Sequence, residues 1–195
     1  MEQRAVMMSS RIDVCVVEAC QQGDRDAFRL LFEAYKDKVY SISLYYFKGD
    51  EATAGDVTQQ VFLKLMTKIE QFRSDAEFTT WLYRLVVNAC MDEQRGRRRW
   101  LPFMDGAMRH GDVRRGQEAS FARLEISDAV RDAIAELKPK LRLPILLKYV
   151  EGLSYEEMAE VLNCSKGTVA SRLNRGHKIL ARRLSHLRGA LVTGD

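Results

Sequence analysis

Proline is scarce, with three in 195 residues. Few helix breakers leave room for long uninterrupted helices. Cysteine is also scarce and unpatterned. Cys15, Cys20, Cys90 and Cys164 form no CxxC and no Cys/His spacing of a metal site. A reducing cytoplasm fits, with the thiols expected as small buried apolar residues, a redox role for Cys15 and Cys20 being the alternative. No apolar run approaches transmembrane length, and MEQRAVMMSSRIDV carries no signal-peptide core. The expectation is a cytoplasmic protein without membrane insertion. His110, His177 and His186 are not paired with carboxylates or cysteines at site-like spacing, and no phosphate-binding glycine loop occurs. The chain is therefore expected to be no enzyme and to need no cofactor or metal.

What is present is amphipathic periodicity. Hydrophobic residues at 46% and charged ones at 30% describe a globular protein, and the fold expected is all-α. The net charge of +4 is modest but uneven. Residues 21–78 carry slightly more acid than base, whereas residues 163–194 hold seven Lys/Arg and no Asp/Glu. That asymmetry points to nucleic acid at one end and a protein partner at the other.

Residues 153–184 read LSYEEMAEVLNCSKGTVASRLNRGHKILARRL. Ser154 and Glu157 have capping-box spacing. Asn163 tolerates the left-handed conformation that ends a helix, and Ser165 can cap the next one. Met158, Ala159, Val161 and Leu162 line the first helix; Val169, Leu173 and Leu180 line the second. Lys166, Ala170, Ser171, Asn174, Arg175 and Lys178 fall on its other side. This is the pattern of a helix-turn-helix, whose second helix can enter a major groove. The alternative is a helical hairpin with a solvated basic face.

Upstream, residues 10–22 read as a short helix with Ile12, Cys15, Val16 and Ala19 on one face. Asp24 can cap a longer helix reaching Phe47, with Phe28, Leu31, Phe32, Tyr35, Val39, Ile42 and Tyr46 at helical spacing. After the turn at residues 48–50, a helix over 51–72 buries Val57, Val61, Phe62, Leu65 and Ile69. Its polar faces carry Asp56, Gln59, Gln60 and Lys64, either a solvated surface or a docking face. A further helix begins at Thr79 or Thr80, with Trp81, Leu82, Leu85, Val86 and Ala89 toward the core. Phe72, Phe78, Trp81, Tyr83, Arg84 and Asn88, with Arg95, Arg97, Arg98 and Arg99, interleave aromatics with hydrogen-bonding and cationic groups. Unstacked bases need π-surfaces and their backbone needs cations. Aromatics at this spacing are also ordinary core residues.

From Gly96 to about Ser120 the periodicity dissolves, which reads as a flexible linker. Trp100, Leu101, Phe103 and Met104 suit a local turn or a partner groove within it. Ile126, Val130, Ala133, Ile134 and Leu137 then form a stripe. A short helix follows in LRLPILLKYVEGLS, with Pro144 in its first turn and Gly152 closing it. The expected domains are 10–99 and 121–188 around a linker at 100–120.

Taken together, these residues resemble a bacterial sigma factor of the extracytoplasmic-function type, in the sigma-70 family, over nearly all of residues 22–187. AFRLLFEAYKDKVYSI and DVTQQVFLKLMTKIEQFRSDAEFTTWLYRLVVNACMDEQRGRRR resemble its second region, and YVEGLSYEEMAEVLNCSKGTVASRLNRGHKIL its fourth. The resemblance implies an N-terminal helical bundle and a C-terminal four-helix domain, in a promoter-specificity subunit of RNA polymerase. Asp56, Gln59, Gln60 and Lys64 would dock on the β′ clamp helices, and the β flap would be a second polymerase contact. Phe72 and Asn88 would capture a flipped base of the −10 element, and residues 73–78, including Arg73, would set its sequence preference. Trp81, Arg84 and the basic cluster at 95–99 would hold the opened strands. Lys166, Ser171, Arg172, Asn174, Arg175 and Lys178 would face the −35 element. An anti-sigma factor, often membrane-bound, is a further implied partner.

Gln60 stands where the family usually has glutamate, and Ala170 where Lys or Arg is common. The resemblance therefore implies one charge fewer in docking and fewer base contacts at −35. The competing function is a two-domain helix-turn-helix regulator that works without being a polymerase subunit. It leaves residues 56–99 unexplained.

Overall fold

The computed structural model describes residues 14–73, 77–100 and 121–187, with side-chain surroundings for all but 98, 100 and 121–127. Among the described residues the protein is all-α. Helix α1 spans Val14–Gln21, α2 Arg25–Tyr46 and α3 Glu51–Lys68. A 3-10 turn, Ile69–Gln71, leads toward α4, Phe78–Trp100. The second half comprises α5 Phe121–Ala135, α6 Pro139–Tyr149, α7 Tyr155–Val161 and α8 Lys166–Arg183, closed by a 3-10 turn at Ser185–Leu187.

Helix ends follow the expected chemistry. The Asp24 carboxylate accepts from the amides of Asp26 and Ala27, and that of Asp50 from Thr53. Ser154 and Glu157 complete the capping box, and Ser165 accepts from the Thr168 amide. Asn163 has φ 47°, the left-handed residue that turns α7 into α8.

Several boundaries depart from the sequence reading. The helix expected over 51–72 leaves α geometry after Lys68. There the Gln21 amide donates to the carbonyls of Ile69 (3.0 Å) and Phe72 (2.7 Å), holding the chain in a tighter turn. Helix α4 begins at Phe78, ahead of the threonines, with the Trp81 amide bonded to the Glu77 carbonyl. It also runs through Gly96 to Trp100, where the linker was expected to begin. Ion pairs of Arg97 with Glu93 (3.0 Å) and Asp50 (3.1 Å) brace that last stretch. Pro139, not Pro144, occupies the first turn of the short helix α6; Pro144 lies buried inside it. Of the linker expected over 100–120 only Trp100 is described, as the end of α4; residues 101, 103 and 104, the Ile12 position and the Ile126 side chain fall outside what is described.

The first half packs α2 against α1, α3 and α4 around Leu31, Tyr35, Val39, Ile42, Val57, Val61, Leu65, Leu82 and Val86, all at most 3% exposed. Cys20 and Cys90 are buried as expected, but Cys15 is exposed and Cys164 half-exposed. The buried face of α1 is Val17 and Cys20, one step round from the expected set, because α1 meets α2 with that edge. In the second half α8 crosses α6 at Gly176, where an added Cβ would sit 3.2 Å from Ile145 Cγ1. Glycine there allows the close crossing that buries Val169 and Leu173.

The halves also touch each other. Helices α2 and α4 pack against α5, α6 and α7, and one continuous apolar core runs through both halves.

Candidate nucleic-acid and partner interface

On α3, the buried stripe fixes which residues face outward. Asp56, Gln59 and Gln60 are exposed. Lys64 is half-exposed and lies 3.6 Å from Asp92 of α4, so it is turned away from the Gln59 edge. Beside Gln59 runs a groove of about 360 Å³ lined by Phe28, Phe32, Phe62, Leu63 and Met66. Leu63 and Met66 are 56% and 58% exposed, large for apolar side chains on a helix whose core stripe is already complete. The sequence reading missed this groove. The signal was two apolar residues off the core stripe, one turn beyond Gln59.

Three aromatic rings meet where α3 gives way to α4. Phe72 lies 5.7 Å from Phe78 and 5.5 Å from Trp81, ring centre to ring centre, and Phe78 lies 6.0 Å from Trp81. All three are only half-buried. Phe78 also leans on Tyr35 at 5.8 Å, so the cluster is anchored below and open above. Gln21, which no motif had singled out, holds the Phe72 backbone in place.

Asn88 lies about two turns along α4 from Trp81, on the same side of the helix. It is exposed and lines a different cavity, of about 600 Å³, together with Arg84, Lys140 and Arg172. Phe72, Phe78 and Trp81 thus meet one another, and none of the three lines the cavity that Asn88 lines. Arg73 is exposed, and Arg95 pairs with Asp92. Arg97 is engaged by Asp50 and Glu93, and its guanidinium lies 5.3 Å from the Phe47 ring. The Asp50 carboxyl is held below its ordinary value. Its desolvation acts upward, but bonds from Thr53 and Arg97 outweigh it. The Arg98 side chain is outside the described set.

On α8, Ser171, Asn174, Arg175 and Lys178 are exposed at i, i+3, i+4 and i+7, one continuous face with Ala170 at its edge. Lys166 is exposed at the N-terminus, 2.5 Å from Glu156 of α7. Arg172 differs: it is half-buried, its Nη1 lies 3.7 Å from Cys164 Sγ, and it turns toward α4. Such a face offers amides and cations to base edges and phosphates.

Two family profiles match the chain: "Sigma-70 region 2" at residues 31–100 and "Sigma-70, region 4" at residues 127–180. The RNA polymerase sigma-H factor of Pseudomonas aeruginosa is 33% identical, over 93% of this chain and 98% of its own length. The ECF RNA polymerase sigma-E factor of Escherichia coli K12 is 34% identical, over 93% and 98%. The chain belongs to the extracytoplasmic-function sigma factors of the sigma-70 family. Its fold is shared by two solved structures. One is the sigma factor RpoE of Bartonella quintana in complex with the anti-sigma factor NepR, with TM-score 0.68 at 22% identity, covering 81% of this chain and 96% of that one. The other is CnrH with the cytosolic domain of CnrY, with TM-score 0.66 at 24% identity, covering 88% and 96%. In this sigma factor the region 2 match covers α3 and α4 with most of α2, and the region 4 match runs from within α5 to near the end of α8. Gln21 lies outside both matches.

No described helix of the sigma factor is long and apolar enough to cross a membrane.

Proposed function

We propose that this sigma factor divides promoter recognition among three of its surfaces. The exposed edge of α3, with Asp56, Gln59 and Gln60, docks on the β′ clamp helices of core RNA polymerase, and the apolar groove of Leu63 and Met66 completes that contact. Lys64, tied to Asp92, acts at its margin. The β flap takes a second contact on the C-terminal half. Phe72, Phe78 and Trp81 stack an unpaired base of the −10 element, Arg73 lies at the rim, and Arg84, Asn88, Arg95, Arg97 and Arg98 guide the opened strand. Lys166, Ser171, Asn174, Arg175 and Lys178 read the −35 duplex in the major groove, with Arg172 at the flank. The halves act as separate domains, 10–99 and 121–188, tethered through 100–120. The protein works in the cytoplasm, contributes no catalysis of its own, and is held in check by an anti-sigma factor covering these faces.

The observation that carries this reading is the half-open ring cluster of Phe72, Phe78 and Trp81 in the same chain as a solvent-facing basic helix of a helix-turn-helix. A duplex reader alone has no use for the rings. Opening a base pair costs a few kcal/mol, and stacking of about 1–3 kcal/mol per base offsets it. The docking assignment is tested by co-purification with core polymerase. Gln59→Ala with Leu63→Asp is expected to abolish retention at moderate salt, while Lys178→Ala leaves it unchanged. Equal retention of all forms contradicts the assignment.

A further inference from the structure

Arg172 of α8 is half-buried and turns from the −35 face toward α4. There it lines the cavity of about 600 Å³ together with Arg84 of α4 and Lys140 of α6. Three cations from three helices surround one space, and among the described residues no carboxylate lines it. None of the three is in an ion pair with another described residue. Arg84 commits its Nε to the Glu160 carbonyl at 2.9 Å, and Arg172 Nη1 lies 3.7 Å from the Cys164 sulfur. Like charges gathered without a counter-charge repel, the more so where water is partly excluded. An anion held between them removes that cost.

The remaining wall suits a planar ring. Val87, Met91 and Leu162 give it an apolar side. Asn88 and Asn163 add side-chain amides, each with donor and acceptor atoms. An inorganic ion has no use for the apolar side, and an apolar molecule has none for the cations. The volume lies within the roughly 300–1,000 Å³ of small-ligand pockets. Duplex DNA, whose major groove alone is about 12 Å wide, does not fit inside it. A neighbouring cleft of about 900 Å³ shares Lys140 and Arg172 and adds Arg175 and Arg182. Its lining carboxylate, Glu136, is already paired with Arg183. The positive field therefore extends beyond the cavity and draws anions toward it.

We propose that this cavity is a binding site for a nucleoside di- or triphosphate. The phosphates lie between the guanidinium forks of Arg84 and Arg172 and the Lys140 ammonium. The base lies against Val87, Met91 and Leu162, with the Asn88 and Asn163 amides at its edge. More than one phosphate is required, because a single one carries at most about two negative charges against three cations. Arg84, Asn88 and Arg172 are then shared with promoter contacts. That sharing rests on the roles proposed above; the nucleotide binding itself does not.

Titration calorimetry of the full chain, without polymerase, promoter DNA or magnesium, tests this with ATP, pyrophosphate and adenosine as probes. ATP is expected to bind saturably and more tightly than pyrophosphate, and adenosine to give no measurable binding. Lys140→Ala and Arg172→Gln are each expected to weaken ATP binding about tenfold or more, since each removes charge-assisted hydrogen bonds. Lys140 is exposed, so its truncation disturbs no packing. Lys68→Ala removes the same charge from an exposed position at the end of α3, and is expected to change the affinity less than about twofold. No saturable binding of ATP at ~1 mM overturns the proposal. Equal losses in Lys140→Ala and Lys68→Ala reduce the binding to general attraction and overturn the site. Pyrophosphate binding as tight as that of ATP overturns the nucleotide assignment. So does a single-stranded DNA trinucleotide without terminal phosphates that binds as tightly as ATP and is weakened equally by Lys140→Ala, since the cavity is then a strand site. Because polymerase and promoter are absent, failure of the promoter-reading roles leaves each of these results unchanged.

Discussion

Arg142 Nη1 donates to the main-chain carbonyl of Tyr46 at 2.7 Å, from near the start of α6 to the end of α2, 96 residues earlier in the chain. The same guanidinium reaches Leu137 and Ala135 behind it. One buried side chain therefore ends a helix in its own half and a helix in the other. A fork of fixed N–H donors does this where a lysine, with a single point charge, cannot.

Replacing Arg142 by Ala is expected to lower stability by about 2–3 kcal/mol, because buried carbonyls at two helix ends lose a charged donor. Urea unfolding followed by circular dichroism measures this. Arg142→Lys is expected to recover less than half of the loss.

Glu151 gives a pH signature. Burial holds its carboxyl above the ordinary value, opposed by the Tyr83 hydroxyl and the charge of Lys38. The folded state therefore binds the Glu151 proton more tightly than the unfolded one. The stability it lends is fully present below the ordinary carboxyl value and is lost as pH rises through the raised one. Glu151→Gln keeps the shape without the charge. It is expected to unfold at higher urea than the parent at pH 7, and the advantage should shrink as the pH is lowered toward 4.5.

The cysteines separate by surroundings. Cys15 is exposed, while Cys90 is buried and its thiol is pushed up to about 12 by that burial. Thiolate, not thiol, reacts. At pH 8 a thiol reagent is expected to modify Cys15 first, Cys164 more slowly, and Cys20 and Cys90 only on unfolding. Mass spectrometry of timed samples reads the order.

Much of this arrangement was legible in the sequence because it is local. Caps at Asp24, Ser154 and Ser165, the left-handed Asn163 and the stripes of α2 and α3 all depend on residues a few positions apart. That Ser171, Asn174, Arg175 and Lys178 share one exposed face of α8 followed from helical spacing. The failures have a common cause. Gln21 bonding Phe72, Tyr83 bonding Glu151 and Arg142 bonding Tyr46 join residues 51, 68 and 96 positions apart. No periodicity encodes such partners. Tyr83, grouped by sequence with the aromatics open to nucleic acid, is instead buried and bonded to Glu151; Arg142 looked like an unremarkable member of an amphipathic helix, and Leu63 and Met66 like stray apolar residues. Helix α4 outran its expected end because ion pairs from Arg97 reach Asp50 across the turn between α2 and α3.

Positions on the exposed face of α8 should separate affinity from specificity. Lys178→Ala is expected to weaken promoter binding by the holoenzyme evenly across sequences and to reduce the salt slope by about 1. Asn174→Ala is expected to relax preference at one −35 position by about 1–3 kcal/mol, with the salt slope unchanged. Binding to a set of single-substitution promoters at several salt concentrations distinguishes the two.

The central claim is that this chain directs core RNA polymerase to open promoters, reading −10 with the Phe72, Phe78 and Trp81 cluster. Run-off transcription on a promoter library, with core polymerase and either the parent chain or Trp81→Ala, tests it directly. The prediction is transcripts that require the parent chain, and a loss of about tenfold or more with Trp81→Ala that is relieved when the −10 segment is supplied pre-opened as a mismatch bubble. Tight duplex binding by the chain alone, with no transcript on any template, would contradict it.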